Sequence, residues 1–225
     1  MNKLFVYLLT PYDPACSSIT RNSILTLLVL SMACIAIAPL LMPQSYSWLA
    51  NTISESGAQG IKHAWLARTG FLCFGLAVVW LAFSLRGIWA QGAVLFHLCF
   101  GINMLAVAAF SIQPWEGIST SPVSFDPIED FLHNLTSTIM GFGFALGVVI
   151  VLLQRNRQQL ADKLFDAFAI GAATFIPIAM LVWTDIDGLV QRLMFFISYL
   201  WYAKEALRIS IVSGMKRSPT GGIMS

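Results

Sequence analysis

Asp126, Asp130, His133 and Ser137 recur at intervals of four, three and four residues, the repeat that puts side chains on one face of a helix. A carboxylate and an imidazole three residues apart could share general-base work or supply two ligands to a metal ion. Glu55 sits in an earlier loop between Ser54 and Ser56, either of which could be a nucleophile beside a histidine. Arg68 and Arg192 each stand a few residues inside an apolar run. A guanidinium at that depth calls for a carboxylate partner or an anionic ligand such as a phosphate headgroup. The chemistries on offer are anion binding, hydrolysis of a lipid ester or amide with metal or base assistance, and haem ligation through His63 and His133.

The elements that must position these residues follow from composition. Of 225 residues, 57% are hydrophobic and only 11% charged, with a mean hydropathy of +0.75. So little charge cannot coat a soluble particle of this size, since ordinary soluble domains carry about a quarter charged residues. Net charge is +2 and no basic stripe with interleaved aromatics occurs, so nucleic acid is excluded as a partner. Six apolar stretches, 24–42, 65–85, 92–112, 130–153, 164–183 and 189–203, predict an all-α bundle of six transmembrane helices, because lipid offers an irregular backbone no hydrogen-bond partners. Residues 1–23 read as a cytoplasmic or interfacial segment, 24–208 as the membrane domain and 209–225 as a cytoplasmic tail.

Lysine and arginine set the orientation. The N-terminus, the second and fourth loops and the tail hold ten of them, and the other loops with their adjoining helix ends hold three. The positive-inside rule then predicts both termini in the cytoplasm. With that orientation seven of the eleven carboxylates, two of the three histidines (His63 and His133), Arg68 and Arg192 gather on the outer face.

Each signal has a structural alternative. Asp126 before Pro127 has the form of an N-cap, and Asp130, His133 and Asn134 continue from it into the apolar run. Asp130 is expected to pair with Arg68, and Arg192, opposing the macrodipole at a helix start, to need a carboxylate or an anion. Gln191 stands beside it. Metal ligation is short of donors: two outer histidines, no histidine pair at helical spacing, and His133, Asp130 and His63 as the candidates. His97, inside the third span, reads as a hydrogen-bonded core residue. Asp166 reads as an interfacial carboxylate beside Lys163. The tryptophans read as interfacial belts, with Trp80, Trp89 and Trp201 toward the inner side. Gly143 and Gly147 read as a close helix contact. The four cysteines form no CxxC pair and read as buried thiols.

Three short motifs remain: N-x-I-S-E-S-G at Asn51 to Gly57, D-F-L-H-N at Asp130 to Asn134, and G-L-V-Q-R at Gly188 to Arg192. Together they resemble the prokaryotic integral membrane family known as domain of unknown function 998, over roughly residues 24 to 208. More distantly they are similar to the Frag1/DRAM/Sfk1 membrane proteins. The resemblance implies a helical membrane fold and brings no established reaction.

The expectation is a multi-pass protein of the bacterial inner (cytoplasmic) membrane with an outward-facing polar pocket. Ser54, Glu55, Arg68, Asp130, His133, Asn134, Gln191 and Arg192 would bind a lipid headgroup or another small anion, or the protein would act as a membrane scaffold. Its partners would be membrane lipids and a further membrane protein, with no cofactor required. The alternatives are a metal-dependent hydrolase using Asp130, His133 and Glu55, and a haem electron-transfer protein.

Overall fold

The computed structural model describes residues 17–115, 125–156 and 159–217. Most of the expected N-terminal segment, Glu116, Arg157 and residues 218–225 lie outside the described residues. The architecture is all-helical, with six long helices: α1 (Ser17–Ile37), α2 (Ala64–Ser84), α3 (Gln91–Ala109), α4 (Pro127–Gln154), α5 (Leu160–Val182) and α6 (Asp187–Arg217). Among the described residues there is no strand. The stretches through α1 to α5 are each long and apolar enough to cross a membrane. The sixth expected span lies within α6, which runs on past Ala203 without a break and carries Lys204, Glu205 and Arg208 in its second half. The chain is a multi-pass membrane protein.

Each helix packs against its neighbours in sequence, and α6 closes the circle against α1. The seam is specific. Ser31 on α1 donates its hydroxyl to the Gly70 carbonyl of α2 at 2.6 Å. That fixes the direction of its second bond, so Tyr199 of α6 donates to Ser31, also at 2.6 Å. Three helices thus share one buried hydroxyl, in a setting without water to compete for it.

Aromatic rings from α2, α3, α4 and α6 fill the centre. Phe74 stacks on Tyr199 with centroids 4.3 Å apart and meets Phe100 and Tyr202 edge-on. Such offset and edge geometries add to the burial term. Large apolar side chains also face outward: Phe175 and Leu181 on α5 are 70% and 82% exposed, which suits lipid as the solvent. Trp48, Trp65 and Trp183 are likewise exposed at one end. Trp89 and Trp201 correct the belt expectation, since both are buried and packed against His97. Their indole N–H groups have carboxylate partners inside the bundle, which removes the reason to seek the interface.

His97 itself fits its expectation. It is fully buried and shares a 3.0 Å hydrogen bond between Nδ1 and the Tyr202 hydroxyl. Gly147 of α4 lies against it, where a Cβ would come within 2.7 Å of the imidazole. A Cβ on Gly143 would stand 3.0 Å from the Phe96 carbonyl, so both glycines mark a close α3–α4 approach.

Candidate functional site

The connection 38–63, the described residues 110–115 and 125–126 that flank α3 and α4, and the connection 183–186 share one end of the bundle, and the three sequence motifs meet there. In the first, Glu55 folds back on its own loop. Its carboxylate accepts from the Thr52 backbone N–H, from Thr52 Oγ1 at 2.9 Å and from Asn51 Nδ2 at 3.1 Å. Ser54 precedes the 3₁₀ turn Glu55–Gly57, and Ser56 is buried, donating to the Ile53 carbonyl at 2.6 Å. The loop then docks on α6. Gln191 Oε1 accepts from Ile53 N–H at 2.6 Å. The N–H groups of Gly188 and Leu189 donate to the carbonyls of Ala50 and Leu49, so two N–H groups that a helix start leaves open are satisfied by the loop.

Arg192 completes the docking. Nη1 donates to the carbonyls of Trp48 and Asn51, both at 2.9 Å, and Nη2 to the Tyr46 hydroxyl at 2.6 Å. The guanidinium also lies over the Trp48 ring, 4.8 Å from its centroid. Tyr46 in turn donates to the Thr52 carbonyl at 2.8 Å. Burial pushes the Tyr46 hydroxyl pKa up, and the neighbouring Arg192 pulls against that. All these partners of Arg192 are neutral.

The second motif holds the connection after α3. Asp126 caps α4 by accepting from Ile128 N–H at 2.8 Å. Glu129 accepts from Ser111 N–H and Asp130 from Gln113 N–H, each at 2.7 Å. Asn134 donates to Asp130 at 3.3 Å. His133 is buried, with Nδ1 2.9 Å from the Phe110 carbonyl. That contact makes Nδ1 the protonated nitrogen and leaves Nε2 as an acceptor, buried and without a partner. Gln59 bridges the two loops, donating to the Ser111 and Asp126 carbonyls and accepting from Asp126 N–H.

The expected pairing of arginines with carboxylates does not occur. Asp130 and Arg192 do share one end of the bundle, but among the described residues no carboxylate lies within 4 Å of Arg68 or Arg192. Arg68 donates Nε to the Gly57 carbonyl at 3.1 Å. The carboxylates of α4 are instead taken up by backbone N–H groups, which compete well because they are fixed in place by the turn. His63 stands half-exposed at the start of α2 with no side-chain capping bond. Among the described residues no three histidine, cysteine, aspartate or glutamate side chains gather in a metal-binding arrangement.

Below Arg192 a groove of about 260 Å³ opens between α1 and α6. Ile35, Ile53, Phe195 and Tyr199 form its buried floor, and Met32 and Phe196 are its exposed rims. Trp48 and Arg192 stand at its mouth.

The opposite end holds residues that sequence reasoning missed. Asp166 is not an interfacial partner of Lys163. It is fully buried, paired with Arg155 Nε, 3.1 Å from Lys204 Nζ, and accepts from Trp201 Nε1 at 2.9 Å. Arg155 reaches Glu205 at 2.6 Å, and Trp89 Nε1 donates to Glu205 at 3.3 Å. Arg208 pairs with Asp162 and lies 3.6 Å from Glu205. Burial alone would lower the Arg155 pKa, but the hydrogen bonds and charges of Asp166 and Glu205 override it and hold the pKa above its ordinary value. Two matched stripes were the signal: Asp162 and Asp166 four apart on α5, and Lys204 and Arg208 four apart on α6, spacings that share a helix face.

A family model, described as protein of unknown function (DUF998), matches residues 27–207. The searches of curated proteins and of solved structures returned no match.

Proposed function

The chain belongs to the family described as protein of unknown function DUF998, and from that premise we propose that this membrane protein binds an anionic group at its loop-rich end, with Arg192 as the contact that recognises charge. One observation carries the reading. Arg192 is half-buried at the mouth of a groove, and its hydrogen bonds go to two carbonyls and a phenol, leaving its positive charge without a carboxylate within 4 Å among the described residues. A guanidinium placed so is pre-aimed by the loop and keeps its charge for a ligand. Trp48 flanks it as an amphipathic wall of the kind that suits the headgroup level of a bilayer. Asp130, Glu129 and Glu55 serve the architecture in this reading, because their oxygens are occupied by loop N–H groups. The positive-inside count supports placing this end outside, in a bacterial inner membrane.

The test is competition. Detergent-purified protein is incubated with equal amounts of phosphatidylglycerol and phosphatidylcholine, and bound lipid is read by native mass spectrometry. The unaltered chain is expected to favour the anionic lipid by about tenfold, a difference of about 1.4 kcal/mol, and Arg192→Gln to abolish that preference. An undiminished preference in Arg192→Gln sinks the assignment. The metal-dependent hydrolase and haem readings are separated by the same preparation: metal analysis reports on the first and Soret absorbance on the second.

A further inference from the structure

We propose that the α1–α6 groove takes the acyl chain of the molecule whose anionic group Arg192 holds, so that the ligand is a single anionic lipid entering sideways from the bilayer. This rests on the anion-binding reading above and extends it to the ligand's other half.

Three observations support it. The first is continuity: Arg192 and Trp48 belong to the wall of the same cavity as Met32, Phe195 and Phe196, so charge recognition and apolar surface are not separate features. The second is direction. From Arg192 to Tyr199 the α6 wall descends seven residues, about 10 Å at the α-helical rise. On α1 the lining runs from Ala36 to Met32, beside Ser31, which bonds Tyr199. The groove therefore runs along the helices, as a chain hanging from a headgroup would. The third is shape. The floor is buried while Met32 and Phe196 stand 41% and 51% exposed, so the groove opens along its side rather than only at its mouth. A free anion such as inorganic phosphate would use the mouth and leave the apolar walls unused. An amphiphile covers both, and covering apolar surface is what drives association of a chain with such walls.

The experiment uses phosphatidic acid carrying a diazirine at mid-chain, beside its phosphatidylcholine counterpart, each in nanodiscs of phosphatidylcholine with the full-length protein. After illumination, crosslinked peptides are mapped. Crosslinks from phosphatidic acid should concentrate on the α1 and α6 peptides that contain Met32, Phe195 and Phe196. Met32→Trp, which narrows the deep part of the groove away from Arg192, should cut them severalfold. Arg192→Gln should erase the difference between the two probes, and Arg192→Lys, which keeps the charge, should retain part of it. Thermal melting of each variant shows that it is folded.

Crosslinks spread evenly over the outward faces of all helices, or a yield indifferent to Met32→Trp, would overturn the groove assignment even with the headgroup preference intact. Crosslinks confined to the groove with a preference untouched by Arg192→Gln would overturn the anion reading and leave an apolar chain site.

Discussion

Gly188 shows how tightly single residues are held at the loop-rich end. A Cβ there would come within 2.2 Å of the Asn51 carbonyl, 2.6 Å of Arg192 Nη1 and 2.8 Å of the Trp48 carbonyl. Gly188→Ala should therefore push the loop off α6. The expected cost is about 1–3 kcal/mol, as for other overpacked sites, with faster amide exchange in residues 47–57 as the specific readout. Gly147→Ala should cost a similar amount by driving a methyl into the His97 ring, but it should leave that loop's exchange unchanged. Asp187, ahead of the sixth expected span, offers a pH test. One of its oxygens is buried without a partner, and burial first, then the Glu55 charge, raises its pKa. A raised carboxyl contributes stability at pH below its unfolded value and loses it as pH climbs through the folded value. Asp187→Asn should thus remove this fall in stability between the unfolded and folded values and raise the melting temperature at neutral pH, read by thermal melting across the acid range.

At the scale of elements, α4, α5 and α6 are joined by three cations and three carboxylates: Arg155, Lys204 and Arg208 with Asp162, Asp166 and Glu205. Arg155 is the hub, and its side chain is 2% exposed. Its replacement by methionine leaves Asp166 and Glu205 buried and undercompensated, a change that in comparable sites costs about 3–5 kcal/mol. Thermal melting in detergent should show that loss, and Arg155→Lys should recover only part of it, because an ammonium cannot reproduce the fork between Asp166 and Glu205. This network was hidden in the sequence for a physical reason. Asp166 has Lys163 one turn before it, and Lys204 and Arg208 look like ordinary flanking charge of an inner helix end. Partnership between helices is decided by their rotation about the bundle, which hydropathy does not encode. The opposite misreading befell Arg68 and Asp130. Opposite charges on one face invited pairing, yet loop N–H groups lay nearer and already fixed. What was legible is what depends on local pattern: the cap at Asp126 with Pro127, the buried His97, the glycine contact at 143 and 147, and the presence and type of the long helices, although α1 and α5 begin at Ser17 and Leu160, ahead of the expected 24 and 164. The three motifs were legible as a set, but the hydrogen bonds by which they tie loops to helix starts appear only once the fold brings Asn51 to Arg192.

At the scale of the whole molecule, composition and apolar run length sufficed for an all-helical membrane protein, while the extent of α6 did not follow from its 189–203 core. Orientation can be tested directly. In a background with the native cysteines replaced, Lys62→Cys should react with a membrane-impermeant maleimide on intact cells, and Gln159→Cys should react only after lysis. The reverse pattern would place the Arg192 end in the cytoplasm. The closing seam between the first and last helices carries a consequence for how the protein is made. Ser31 and Tyr199 are 168 residues apart, so the ribosome must deliver the four helices between them and most of the membrane part of α6 before α1 finds its final neighbour. Until then that flank of α1 is covered by whatever the insertion machinery or the surrounding lipid supplies, and a nascent chain stalled before α6 has neither the groove nor the latch that Arg192 forms.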